Sequence, residues 1–189
     1  ELDFMPNFTK KAIKDSFIKL LNERPLSQIT VKDLVEDCGI NRNTFYYHFD
    51  DLPSLLKDII KEDAENIIEK YPSIDSMEQC FDVAIRFALE NRKAVLHMYN
   101  SVNRDIYEHY LTDVCNYVTT VYVNTILKGK SIKQSDKEIF IRLLQCEFFG
   151  QIISWMSDGM KDDVYERFHR LCELCRGIPE EIIRRSSES

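Results

Sequence analysis

Residues Ile29 to Phe49 read ITVKDLVEDCGINRNTFYYHF, and the signals in this stretch come in the order of two short helices around a tight turn. Thr30 is placed to cap the first helix, with Asp33 at its third position, a near capping box. Ile29 and Leu34 have the spacing of a hydrophobic staple. Gly39 breaks the pattern after Cys38, and the start signal then recurs, with Asn41 as cap and Ile40 and Phe45 as staple. A helix, a glycine turn and a second helix of this size predict the helix-turn-helix unit, whose second helix enters the major groove of DNA. That second helix is short and polar at its start. Arg42, Asn43 and Thr44 occupy its first turn, where base-reading side chains sit in this motif.

Outward from this core the chain carries only helical signals. A first helix opens at Thr9, with Phe8 and Ile13 as its staple and Ile13, Phe17, Leu20 and Leu21 on one face, and Arg24-Pro25 ends it. A fourth helix starts at Asp51-Leu52-Pro53, with proline in its first turn, and runs through Leu55, Leu56, Ile59, Ile60, Ile67 and Ile68 to Tyr71-Pro72. Further helices are expected at about Ser76–Asn91, Arg92–Asn100, Arg104–Leu127, Ser135–Asp158 and Asp162–Arg176, with Gly159 and Gly177 as C-caps. The expectation is an all-α protein: a three-helix head over residues 1–50, then a linker helix and a helical body over 51–189. The tail Arg184–Ser189 has no apolar residue and is expected to be disordered.

Charge and composition exclude several classes. The net charge of −7 argues against a general polyanion binder. From Thr9 to Asp50 there are seven Lys/Arg against six acids, while the remainder has 18 against 26, so the acidity belongs to the rest of the molecule. No apolar run reaches membrane-span length and no signal-peptide pattern appears, which points to a cytoplasmic protein with its six cysteines reduced and mostly buried. His169, Cys172 and Cys175 form H-x-x-C-x-x-C, but a single CxxC is read as helix packing and no metal or cofactor is expected. There is no glycine-rich phosphate loop, paired-carboxylate constellation or nucleophile motif, so no enzyme is expected.

The three-helix head, the segment CGINRNTFYYHFDDLPSLL and the all-helical body together resemble the TetR/AcrR family of bacterial transcriptional regulators, over roughly Thr9 to Leu56 for the head. The glycine turn, the Thr44-Phe45-Tyr46 run and the His48-Phe49 pair occur in register. The segment EFFGQIISWMSDGM, Glu147 to Met160, is similar to the C-terminal part of members akin to dihydroxyacetone-kinase operon activators. The resemblance implies that Lys32 contacts phosphate or a base edge, and that Arg42, Asn43 and Thr44 face the groove. It also implies that Tyr46, Tyr47 and His48 touch backbone phosphates or flanking bases, and that Thr30 offers its helix N-terminus to a phosphate. Family members often carry a lysine where this chain has Leu52, beside Asp50 and Asp51, which predicts modest non-specific affinity.

The helix from Ser135 is apolar almost all round, so one side is expected to face its own core and the other a partner. The expected homodimer face is Phe148, Phe149, Ile152 and Trp155, flanked by Leu171 and Leu174. Phe87, Met98, Tyr99, Tyr107 and Trp155 are candidates to line a cavity for an effector of unidentified chemistry. The functional expectation is a ligand-responsive repressor, dimeric on a palindromic double-stranded operator. The alternatives are an activator of a neighbouring operon working with a co-regulator, and an interaction module with reduced DNA binding.

Overall fold

The computed structural model describes residues 4–89, 91–161 and 163–187, the first four by backbone alone. Among the described residues ten α-helices follow one another: α1 Phe4–Glu23, α2 Val31–Cys38, α3 Arg42–His48, α4 Leu52–Lys70, α5 Met77–Leu89, α6 Arg92–Tyr99, α7 Arg104–Ile126, α8 Gln134–Ser157, α9 Val164–Leu174 and α10 Ile178–Ser187. A single 3-10 turn, Leu26–Gln28, separates α1 from α2. No strand occurs among the described residues. The fold is all-α with an N-terminal helix-turn-helix, and none of its described helices is long and apolar enough to cross a membrane.

The chain forms two compact units, residues 1–63 with 88–109, and residues 64–87 with 110–189. This division differs from the functional one expected at residue 50, because the early part of α4 and all of α6 belong to the first unit. Two polar contacts dock α6 on α1: His97 Nδ1 lies 2.6 Å from the Leu21 carbonyl oxygen, and the Ala94 amide donates to Asn22 Oδ1 at 3.3 Å. Both engage helix-end groups that lack intrahelical partners. The core of this unit is Ile13, Phe17, Leu21, Leu34, Phe45, Leu55 and Leu56, all buried. Around it, Lys10 and Lys14 reach Asp58 at 2.9 and 2.6 Å, and Lys14 also pairs with Glu62, clamping α1 to α4. α1 starts at Phe4 rather than Thr9, so Thr9 lies inside the helix and Phe8 is exposed.

In the second unit α8 is the central helix. Phe148, Ile152 and Trp155 are 0–2% exposed, and Phe148 meets Phe81 of α5 at 4.2 Å between ring centroids. These three side chains therefore belong to the subunit's own core and cannot form the expected shared face; Phe149 and Leu171 are half-buried and Leu174 is exposed. The side of α8 that lies open is another one, carrying Ile139, Leu143, Cys146 and Gly150, with Ile153 half-buried beside them. α8 ends in a Schellman turn, with Gly159 at φ 75°, its amide on the Met156 carbonyl at 3.0 Å and the Met160 amide on the Trp155 carbonyl at 2.9 Å.

The expected disordered tail is a helix as far as Ser187, while 188–189 lie outside the described residues. Ser186 is buried, donates to Asp136 Oδ2 at 2.6 Å and accepts from the Lys133 amide at 3.3 Å, so it fastens α10 to the start of α8. Cys80, Cys115 and Cys172 are buried free thiols, and burial pushes Cys115 and Cys172 up to about 12, whereas Cys146 is exposed.

Candidate nucleic-acid interface

The local chemistry of residues 29–49 builds a rigid reading surface. Thr30 and Asp33 form a full capping box: the Asp33 amide donates to Thr30 Oγ1 at 3.2 Å, and the Thr30 amide donates to Asp33 Oδ2 at 2.8 Å. Arg24 adds an ion pair to Asp33 at 3.4 Å. The Thr30 hydroxyl and amide, with Arg24 behind them, hold the Asp33 carboxyl below the usual range. Ser16 and Lys19 of α1 both bind Asp37, which fixes α2 against α1. Gly39 then turns the chain at φ 69°, a left-handed conformation that favours glycine.

α3 follows at once. Asn41 Oδ1 accepts from the Thr44 amide at 2.8 Å and from the Thr44 hydroxyl at 3.1 Å. Phe45 is fully buried and Phe49, its C-cap, nearly so, which sets the rotation of the helix. The opposite side carries Arg42, Asn43, Tyr46 and Tyr47, all exposed, with Tyr47 at 80%. Residues three and four apart share a helix face, so 42, 43, 46 and 47 form one patch. Tyr46 is held with its ring edge to Phe45, centroids 5.3 Å apart.

The remaining expected contact residues are placed differently. Thr44 is half-buried and its hydroxyl is engaged by Asn41, so it orders the first turn of α3. His48 is half-buried against Phe49 and Tyr47. Lys32 is exposed on α2, 3.8 Å from Glu36. The Thr30 hydroxyl donates to Asp33 Oδ2 at 2.6 Å, so what Thr30 presents is the end of α2. Sequence reasoning missed two partners, Arg24, read only as part of a helix stop, and Ser54. The Ser54 amide donates to Asp51 Oδ1 at 2.7 Å and the Asp51 amide to Ser54 Oγ at 3.1 Å, a reciprocal cap that explains an acid at this position.

The five residues expected to line an effector cavity are all core residues. Met98, Tyr99 and Tyr107 are buried in the first unit, Phe87 and Trp155 in the second. Arg104 lies over the Tyr99 ring, 4.4 Å from its centroid. An open cavity of about 770 Å³ in the first unit is lined instead mostly by charged residues of α1 and α4, among them Lys10, Lys14, Asp15 and Glu62, together with Ile18, Ile59 and Asn91. His169 is exposed while Cys172 is buried, and among the described residues no three ligand-type side chains converge as a metal site.

Residues 15–59 match the family model described as bacterial regulatory proteins, tetR family. Residues 75–177, more than half of the chain, match a model described as a transcriptional regulator C-terminal region. A stretch of 63 residues is 27% identical to an uncharacterised HTH-type transcriptional regulator, YxbF, of Bacillus subtilis (strain 168). That stretch is 33% of this chain and spans only 17% of that relative. Among solved structures the fold is similar to that of the dihydroxyacetone kinase operon activator DhaS, with a TM-score of 0.73 and 18% identity over 91% of this chain and 96% of that one.

Proposed function

Because the chain belongs to the TetR family of bacterial regulatory proteins and is thus a DNA-binding transcriptional regulator, we propose that it acts as a homodimeric, ligand-responsive repressor on a pseudo-palindromic operator. The observation that carries the DNA half of this reading is the exposed patch of Arg42, Asn43, Tyr46 and Tyr47 on a capped α3. Arg42 and Asn43 suit bidentate contacts to guanine and adenine edges, and the tyrosines and Lys32 suit backbone phosphates. Residues 1–50 serve as the reading head and 51–189 as linker, dimerisation and effector body.

The dimer half rests on α8. Ile139, Leu143, Cys146, Gly150 and Ile153 recur every four and three residues, the spacing of a helix-pairing seam, and lie on its open side. A Cβ at Gly150 would meet nothing within 4 Å inside the subunit. Mid-helix glycine costs about 1 kcal/mol relative to alanine, and a second copy's helix in close approach accounts for keeping it. This face replaces the one expected from Phe148, Ile152 and Trp155. Two heads on one duplex read half-sites ~34–36 Å apart.

The test is fluorescence anisotropy of the protein on the intergenic DNA beside its own gene, at two salt concentrations. A saturable, salt-dependent and sequence-selective complex of two chains per site supports the reading; equal binding to scrambled duplex overturns it. The likeness to an operon activator, together with the Glu147–Met160 segment, favours activation as the second reading. Transcription from that promoter in a deletion strain separates the two, rising if the protein represses and falling if it activates.

A further inference from the structure

α3 is held at both ends. Asn41 caps its start, and Phe49 is its C-cap, 6% exposed, with its amide on the Phe45 carbonyl at 3.0 Å. A helix of seven residues is not stable by itself. The packing of Phe45 and Phe49 therefore sets the direction in which Arg42, Asn43, Tyr46 and Tyr47 point. The two phenyl rings lie 6.0 Å apart between centroids, and Phe45 carries the edge-on ring of Tyr46 at 5.3 Å. Whatever holds the Phe49 ring thus bears on the reading face through two ring contacts.

Lys10 of α1 is in place to hold it. Its Nζ lies over the Phe49 ring, 5.7 Å from the centroid and within cation–π range. The same Nζ is 2.9 Å from Asp58 Oδ2 of α4. The ammonium is pinned between an anion on α4 and the ring that ends α3.

Ion pairing alone does not account for Lys10. Its side chain and that of Asp58 are 38% and 34% exposed, and pairs so exposed add little stability. Asp58 is also served by Lys14, 14% exposed and 2.6 Å away, which pairs with Glu62 as well. Removing Lys14 breaks two ion pairs and removing Lys10 breaks one, yet of the two it is Lys10 that lies over the cap of α3.

We propose that Lys10 is a positioning residue for DNA reading: its ammonium, anchored on Asp58, holds the Phe49 ring and through it the orientation of α3. The proposal rests on α3 being the helix that reads DNA, so it is tested in two arms. Hydrogen exchange over residues 42–49 of the full chain without DNA reports the hold on α3, and anisotropy on the operator duplex reports the reading. Lys10→Met keeps the aliphatic stem and removes the charge. It should speed exchange in α3 and weaken operator binding, each by about two- to fivefold, the weight of a partly exposed cation–π contact, with the salt slope unchanged. Lys10→Arg should restore both. Lys14→Met should lower the melting temperature at least as much as Lys10→Met, but leave α3 exchange and operator affinity at wild-type values. In a Phe49→Leu background, which keeps an apolar cap without the ring, Lys10→Met should add no further loss. Wild-type protein that binds scrambled and operator duplex equally overturns the operator reading, and the DNA role of Lys10 with it. With operator binding intact, the proposal alone is overturned by unchanged exchange or affinity in Lys10→Met, by equal effects in Lys14→Met, or by an undiminished effect in the Phe49→Leu background. A salt slope lowered by about one in Lys10→Met overturns it too, since Lys10 is then a phosphate contact.

Discussion

Asn41 is the residue on which the order of the reading helix most depends. α3 has only seven residues, and Asn41 Oδ1 holds both the amide and the hydroxyl of Thr44, at 2.8 and 3.1 Å. Asn41→Ala leaves the Thr44 amide without its cap, a loss of ~1 kcal/mol. For a chain of this size that corresponds to a fall of about 2–4 °C in melting temperature. The same energy limits the effect on DNA. If the whole cap were lost in ordering α3 at the groove, affinity would fall by no more than about fivefold. Asn41→Ser keeps a capping oxygen and should restore both quantities. Calorimetry, anisotropy on the operator duplex, and hydrogen exchange over 42–48 measure the three consequences together, with faster exchange expected only in the alanine variant. Equal losses of more than about tenfold in DNA affinity for the alanine and serine variants, at unchanged melting temperature, would show Asn41 to be a base reader and refute the capping argument.

Arg42→Ala should cost ~1–3 kcal/mol of specific binding at unchanged stability, while Lys32→Ala should weaken binding to all sequences and lower the salt slope by about one; anisotropy at two salt concentrations distinguishes them, and full affinity in Arg42→Ala removes it from the site. Leu143→Glu, at an exposed seam position, should convert dimer to monomer in size-exclusion chromatography with light scattering and abolish operator binding; a wild-type monomer at micromolar concentration contradicts the dimer. Burial works to raise the Asp58 carboxyl, but Lys14 and Lys10 outweigh it and hold it below its usual range. A depressed carboxyl stabilises fully above its unfolded-state value and loses that contribution as pH falls through the folded one. Acid unfolding should therefore be less steep in Asp58→Asn, as followed by circular dichroism.

Much of the reading head was legible because its signals are local. Thr30 with Asp33, Asn41 with Thr44, and Gly39 act over three residues or fewer along the backbone, and their hydrogen bonds form wherever the helix forms. The alternation of buried Phe45 and exposed Arg42, Asn43, Tyr46 and Tyr47 follows from the helical repeat once the start is known. The commitment of Thr44 to its own cap was harder to foresee, since a hydroxyl at a first-turn position serves DNA or backbone equally well.

The body was legible as helices and misleading as surfaces. α8 is apolar on nearly every side, so periodicity identifies no inward face. The stack of Phe81 and Phe168, supplied by helices distant in sequence, draws Phe148 inward and leaves Ile139 and Leu143 outside. The tail shows the same limit, since its composition predicts disorder while Ser186 finds Asp136 fifty residues away. Helix positions and caps are decided by energies within one or two turns, which a sequence displays directly. Which face of an all-apolar helix is buried, and whether a polar tail is ordered, depend on partners that only the folded chain brings together.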